Sequence, residues 1–205
     1  METAPATAAA DERPSRRSRR DDRALTCAIL DATIAEVDRV GYANLNVERI
    51  AELASASKAS LYRRWPGKFE LVLDAIYYVF PDPSTLADTG GLRSDLLATL
   101  RSAADQLAGP AGHAIRGIVA DVLRDPRRAA QFRAHTRGNS RQAMRQIVAR
   151  AGARGELDPE SITSRQLEAG LSLIRFHFLT NAGPIPDEVL VEIVDEIILP
   201  LFTGR

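Results

Sequence analysis

The 205-residue chain carries a single cysteine, Cys27, so no disulfide can close within it. Cys27 lies in the apolar run 24–30 and reads as a small packed hydrophobe, not as a nucleophile. Lysine is almost absent: Lys58 and Lys68 are the only two, and every other fixed side-chain cation is arginine. No apolar stretch approaches the roughly 20 residues that a membrane span needs. The opening METAPATAAADERP lacks the charged-then-apolar order of a secretion signal. These absences predict a cytoplasmic protein with no membrane part. Three scattered histidines and one cysteine offer no metal-ligand spacing. Nucleophile-and-base sets and glycine-rich phosphate loops are also missing. The expectation is therefore a protein that is not an enzyme and needs no cofactor.

Net charge is lacking too, with 27 basic and 27 acidic residues. Distribution matters more than the total for a nucleic-acid partner. Arg13, Arg16, Arg17, Arg19, Arg20 and Arg23 crowd the start, opposed there by Asp21 and Asp22. Acidic residues gather in 156–168 and 187–196. Residues 1–20 read as a disordered basic arm suited to a phosphate backbone or a minor groove.

What is present is helical periodicity, interrupted by glycine and proline. About nine helices are predicted, giving an all-α fold. The first spans 21–40 and stops at Gly41. Asn46 can cap a short helix with apolar positions Val47, Ile50, Ala51 and Ala54, and Ser57 can cap a second one through Arg64. A fourth helix spans 68–80 and ends before Pro81-Asp82-Pro83. Longer helices follow at 92–107, 111–123 and 127–151, the last with a possible break at Arg137-Gly138-Asn139. A linker at 152–158 precedes helices at 159–180 and 187–199. The domain boundary falls in the loop 81–91, leaving 21–80 and 81–205 as the two units.

Two short capped helices around the turn 53–57 make a helix-turn-helix candidate. The second helix leaves Lys58, Ala59, Ser60, Tyr62, Arg63 and Arg64 outside the core. Small residues and cations suit a major groove, where arginine and lysine can donate to guanine O6 and N7. Tyr62 can donate to a phosphate. Lys68, at the start of the next helix, can join free backbone N–H groups in holding another. Periodicity alone fits a simple helical hairpin with a solvated cationic face equally well.

The residues themselves carry a resemblance. Ile29-Leu30, Ala32, Val40-Gly41-Tyr42, Val47-Glu48-Arg49-Ile50-Ala51, the block Ser57–Lys68 and Leu71 resemble the DNA-binding domain of the TetR family. The block Tyr62-Arg63-Arg64-Trp65-Pro66-Gly67-Lys68 is the specific part. The resemblance implies a three-helix DNA-binding domain followed by a helical ligand-binding and dimerisation domain. It implies that 57–64 is the recognition helix, with Asn46 and Val47 opening the helix before it. Lys58, Ser60 and Arg63 would face bases or their phosphates. Tyr62 and Lys68 would clamp the backbone, and Trp65 would pack where the recognition helix meets the fourth. The implied partners are double-stranded operator DNA, a second copy of the chain and a small-molecule ligand. Departures are Ser55-Ala56 in a turn that usually carries Gly then Val, Thr33 and Glu36 at usually apolar positions, and Asn46 for a threonine cap. They leave open a helical interaction module whose helix-turn-helix no longer binds DNA.

The later half, from Leu92-Arg93-Ser94-Asp95-Leu96 to Arg154-Gly155-Glu156-Leu157, resembles one common C-terminal type of that family. Val189, Leu190, Ile193, Val194, Ile197 and Ile198 form an apolar stripe on the last helix. Leu167, Leu171, Ile174 and Phe178 form another on the preceding one. A stripe at this spacing is ordinarily core, but a chain of this size has limited core to absorb both, so a dimer seam is the second reading. A ligand cavity needs a few polar groups on an apolar lining. The candidates are His113, Arg116, His135, Arg175, His177 and Asn181.

Overall fold

The computed structural model describes residues 16–86 and 88–204, and among them only helices and loops occur. Helix α1 runs Arg16–Val40, so it begins inside the segment expected as an arm. Residues 1–15 of that segment lie outside the described residues. Arginine ranks with the better helix formers, which favours extension of α1 in that direction. The two polar interruptions in α1 are satisfied locally. The Thr33 hydroxyl donates to the Ile29 carbonyl at 2.7 Å. Buried Glu36 accepts two bonds from Arg39, at 2.9 and 2.6 Å, and the Arg39 guanidinium holds its carboxyl below the usual range. Gly41, at φ +76°, ends the helix.

Helix α2, Val47–Leu53, is capped by Asn46, whose side chain accepts from the Glu48 and Arg49 amides. Helix α3, Lys58–Arg64, is capped by the Ser57 side chain. Between them Ser55 sits at φ +50°, the one left-handed non-glycine position among the described residues. Helix α4, Lys68–Val79, buries Phe69, Leu71, Val72, Leu73, Ala75 and Ile76. That set covers more than one face because α4 packs on α1 and on the later helices α6 and α7.

The remaining helices are α5 (Leu92–Ala108), α6 (Pro110–Arg124), α7 (Pro126–Ala153) and α8 (Ser164–Thr180). Pro110 and Pro126 stand in the first turns of α6 and α7, where a missing N–H costs nothing. Helix α7 is continuous through Gly138, against the expected break. A lone exposed glycine costs about 1 kcal/mol, which the surrounding alanine, arginine and glutamine absorb. A 3-10 turn, Pro159–Ser161, separates the linker from α8, which Thr163 and Gln166 close with a reciprocal capping box. The last helix is compound: α9 (Asp187–Glu192), a π segment (Ile193–Ile198) and α10 (Leu199–Thr203). Gly170 lets it approach α8 closely, since a Cβ there would stand 2.3 Å from Ile198 Cδ1.

The first four helices and the later ones share one buried core. Helix α6 lies on both α1 and α4. A Cβ on Gly117 would stand 2.5 Å from Tyr42 Cβ, so only glycine permits this approach. The Tyr42 hydroxyl donates to Asp121 at 2.6 Å, and burial, with that carboxylate, pushes the phenol's pKa up. Asp121 also pairs with Arg128 at 2.7 Å, whose guanidinium lies over the Phe69 ring.

The two apolar stripes are mostly core. Leu190, Ile193, Val194 and Ile198 are buried within the chain, as are Leu167, Leu171, Ile174 and Phe178. They enter the shared core, where α8 packs on α5 and α7 as well as on the π segment, and the last helix packs on α5 too. Left open on the same helices are Phe176 and Leu179 on α8 and Ile197 and Leu201 on the last helix. Among the described residues no helix is long and apolar enough to cross a membrane.

Candidate DNA-binding surface and regulatory cavity

Helix α3 sorts its residues by what lies behind it. Leu61 is buried against α2 and α4, and Ser60 is buried beside it. Ser57, Lys58, Ala59, Tyr62 and Arg63 are exposed, with Asn46 and half-buried Val47 at the start of α2. Lys58 pairs with Glu48 and lies 5.8 Å from the Tyr62 ring centre. The carboxylate holds the ammonium's pKa above its ordinary value.

Three residues expected on the outer face are turned to other tasks. Ser60 is buried, and both its carbonyl and its hydroxyl accept from Arg64. Arg64 also pairs with Asp22 of α1, so its guanidinium braces α3 instead of projecting from it. The cause is helical phase: 60, 61 and 64 share the inner side of a short helix. Lys68 donates to the Tyr42 and Ala43 carbonyls at 3.0 and 3.3 Å, and its ammonium sits 4.5 Å from the Tyr42 ring centre. It ties α4 to the loop after α1.

Trp65 is buried where α3 meets α4, as expected, and its indole N–H donates to Asp74 Oδ2 at 2.7 Å. The other Asp74 oxygen is 3.6 Å from His135 Nε2 on α7. His135 stacks on Tyr77 with ring centres 5.4 Å apart. The Tyr77 hydroxyl bonds to the Thr136 hydroxyl. A connected path thus runs from the end of α3 through α4 to α7. Sequence reasoning missed Asp74, Tyr77 and Thr136. The legible signal was the i, i+3 pair Asp74 and Tyr77 on α4, which spacing puts on one face.

Tyr77 and Thr136 also line a cavity of about 90 Å³. Its other walls are chiefly apolar and come from the loop after α4 and from α5, α7 and α8, including Phe80, Pro83, Leu107, Leu171 and Ile174. Of the six residues proposed from sequence, Arg175 alone lines it. His135 lies behind its wall, on Tyr77. His113 bonds to Asp38 of α1 at 2.7 Å, between the two halves of the chain. Arg116 donates to the Phe178 and Asn181 carbonyls and lies over the Phe178 ring. Asn181 caps α8 by bonding to the His177 carbonyl, and the His177 side chain is outside the cavity wall. His113, Arg116 and Asn181 thus hold helix ends and contacts between the two halves, which their spacing in the chain could not reveal.

Residues 29–75 match the family model described as bacterial regulatory proteins, tetR family. Residues 86–197 match the tetracyclin repressor-like C-terminal domain model. A DNA-binding transcriptional repressor TetR of Mycobacteroides abscessus is 31% identical over 184 residues, spanning 86% of this chain and 93% of that one. An uncharacterized HTH-type transcriptional regulator of Mycobacterium tuberculosis is 29% identical, spanning 85% and 86% of the two chains. Among solved structures, a TetR family transcription regulator superposes with TM-score 0.71 at 24% identity, covering 85% of this chain and 96% of that one. The regulator FadR of Bacillus subtilis, solved with stearoyl-CoA, gives 0.52 at 14% identity, over 87% and 98%. Two family models covering both halves, and a relative matched along nearly its whole length, agree with the helix-turn-helix geometry: the chain belongs to the TetR family and is a DNA-binding transcriptional regulator, not an enzyme.

Proposed function

We propose that the protein is a dimeric repressor whose hold on operator DNA is released when a small molecule occupies the α4–α5–α7–α8 cavity. One observation carries this reading. Helix α4 presents Tyr77 to the cavity and, one turn earlier, holds Trp65 at the end of the recognition helix through Asp74. A ligand that moves Tyr77 must move Asp74 with it.

In this reading Ser57, Lys58, Ala59, Tyr62 and Arg63 contact DNA, supported by Asn46 and Val47. The first amides of α4, which no side chain caps, hold a phosphate beside Lys68. Ser60 and Arg64 set the pitch of α3. Two copies must place their recognition helices about 34–36 Å apart to meet successive turns of the groove. A ligand that favours another spacing disfavours the DNA complex by the coupling free energy, typically about 1–3 kcal/mol. The relative in Mycobacteroides abscessus is named a repressor, and the FadR neighbour was solved with a bound acyl-CoA. Both facts support the class of mechanism.

The test is a mobility-shift titration with the DNA flanking the protein's own gene, at several salt concentrations. Tight binding that weakens steeply with salt is expected. Absence of salt-sensitive binding to any flanking fragment would leave a helical protein-interaction module instead.

A further inference from the structure

The cavity is lined by a cation that pairs with no carboxylate among the described residues. Arg175 reaches its wall from α8. Its hydrogen-bond partners are neutral hydroxyls, Ser140 at 3.0 Å and Ser172 at 3.5 Å. Among the described residues it forms no ion pair with a carboxylate. The acid on its own helix, buried Glu168, is already shared by Arg141 at 2.6 Å, Arg165 at 3.1 Å and Arg137 at 3.8 Å. Burial lowers the Arg175 pKa from its ordinary value, with Tyr77 and Glu168 opposing only in part. A half-buried guanidinium with no paired counter-charge is costly, and an incoming anion recovers part of that cost.

A second observation gives the ligand a direction. An adjoining cleft shares Thr136 and Arg175 with the cavity and is lined by Arg133, Arg137 and Arg165 against the single acid Glu168. The apolar cavity and a cleft with an excess of positive charge therefore meet at Arg175. Resting on the regulatory reading above, we propose that this site takes an apolar molecule with an anionic head, the body against Leu107, Leu171 and Ile174 and the head on Arg175. The head is a carboxylate or a phosphate, since a guanidinium fork fits both in bidentate fashion.

Calorimetric titration of the full chain with octanoate, octyl phosphate, octanamide and octylamine tests this. At least one anion should bind, with octanamide at least tenfold weaker and octylamine weaker still. The better of the two anions identifies the head. In Arg175→Gln the preference for anion over amide should vanish, while Arg175→Lys should keep most of it. Equal binding of octanoate, octyl phosphate and octanamide to the unaltered protein would overturn the proposal. So would a preference that survives in Arg175→Gln, or no binding of either anion. Binding to the flanking DNA is measured separately. Charge-indifferent ligands on a protein that still shifts DNA would sink this ligand class alone. A charge-selective ligand that leaves the DNA complex intact would sink the release mechanism alone.

Discussion

The indole nitrogen of Trp65 donates to Asp74 at 2.7 Å, fixing the end of the recognition helix to the helix that joins the two halves of the chain. Asp74 in turn faces His135 of α7 at 3.6 Å. Replacing Trp65 by phenylalanine keeps an aromatic body and removes the donor. The loss of this bond and some buried volume should cost about 1–3 kcal/mol. Affinity for the flanking DNA should fall with it. Urea unfolding and DNA titration read the two effects. Unchanged values in both would mean that the bond carries neither stability nor function.

Arg63 and Arg64 are adjacent in sequence and opposite in task. Arg63 is exposed, whereas Arg64 is folded onto Ser60 and Asp22. Arg63→Ala should reduce the salt slope of DNA binding by about 1 while leaving stability within about 0.5 kcal/mol. Arg64→Ala should lower stability by about 1 kcal/mol, because a half-buried, hydrogen-bonded cation is lost. If Arg64→Ala flattens the salt slope more than Arg63→Ala does, the assignment is reversed.

Ser55 holds a left-handed backbone at φ +50° in the turn of the helix-turn-helix. Glycine relieves roughly 1–2 kcal/mol of that strain and returns roughly half in unfolded-chain entropy. Ser55→Gly should therefore raise stability by about 0.5–1 kcal/mol, seen as a higher urea midpoint at constant slope. A lower midpoint would show that the serine is held by something other than tolerance of strain.

Phe176 is 68% exposed and Leu179 49%, three residues apart on one face of α8, and Ile197 and Leu201 are open on the last helix. An apolar face like that of α8 is what a twofold seam covers. A charge at its centre, Phe176→Glu, should convert the dimer to a species of one 22.3 kDa chain in light scattering. It should also weaken DNA binding, since two linked recognition helices bind far better than one. A dimer that persists with undiminished affinity would place the seam elsewhere.

The sequence by itself determined the helices and their caps. Asn46 and Ser57 each sit one residue before a run of helical period, and a cap acts within three residues of chain. The block that carries the family resemblance was legible as well, because the spacing from Tyr62 to Lys68 is local. Tertiary structure alone decided which face of each helix is used. Ser60 and Arg64 turned inward because α1 lies behind α3. The stripes on α8 and the last helix went into a core shared with α5 and α7, leaving Phe176 and Leu179 outside. Of six polar candidates for the cavity, Arg175 alone reached it. Each of those outcomes depends on residues tens of positions away meeting at one place. Helical period fixes a side chain's angle about its own axis but carries no information on which neighbour will stand there.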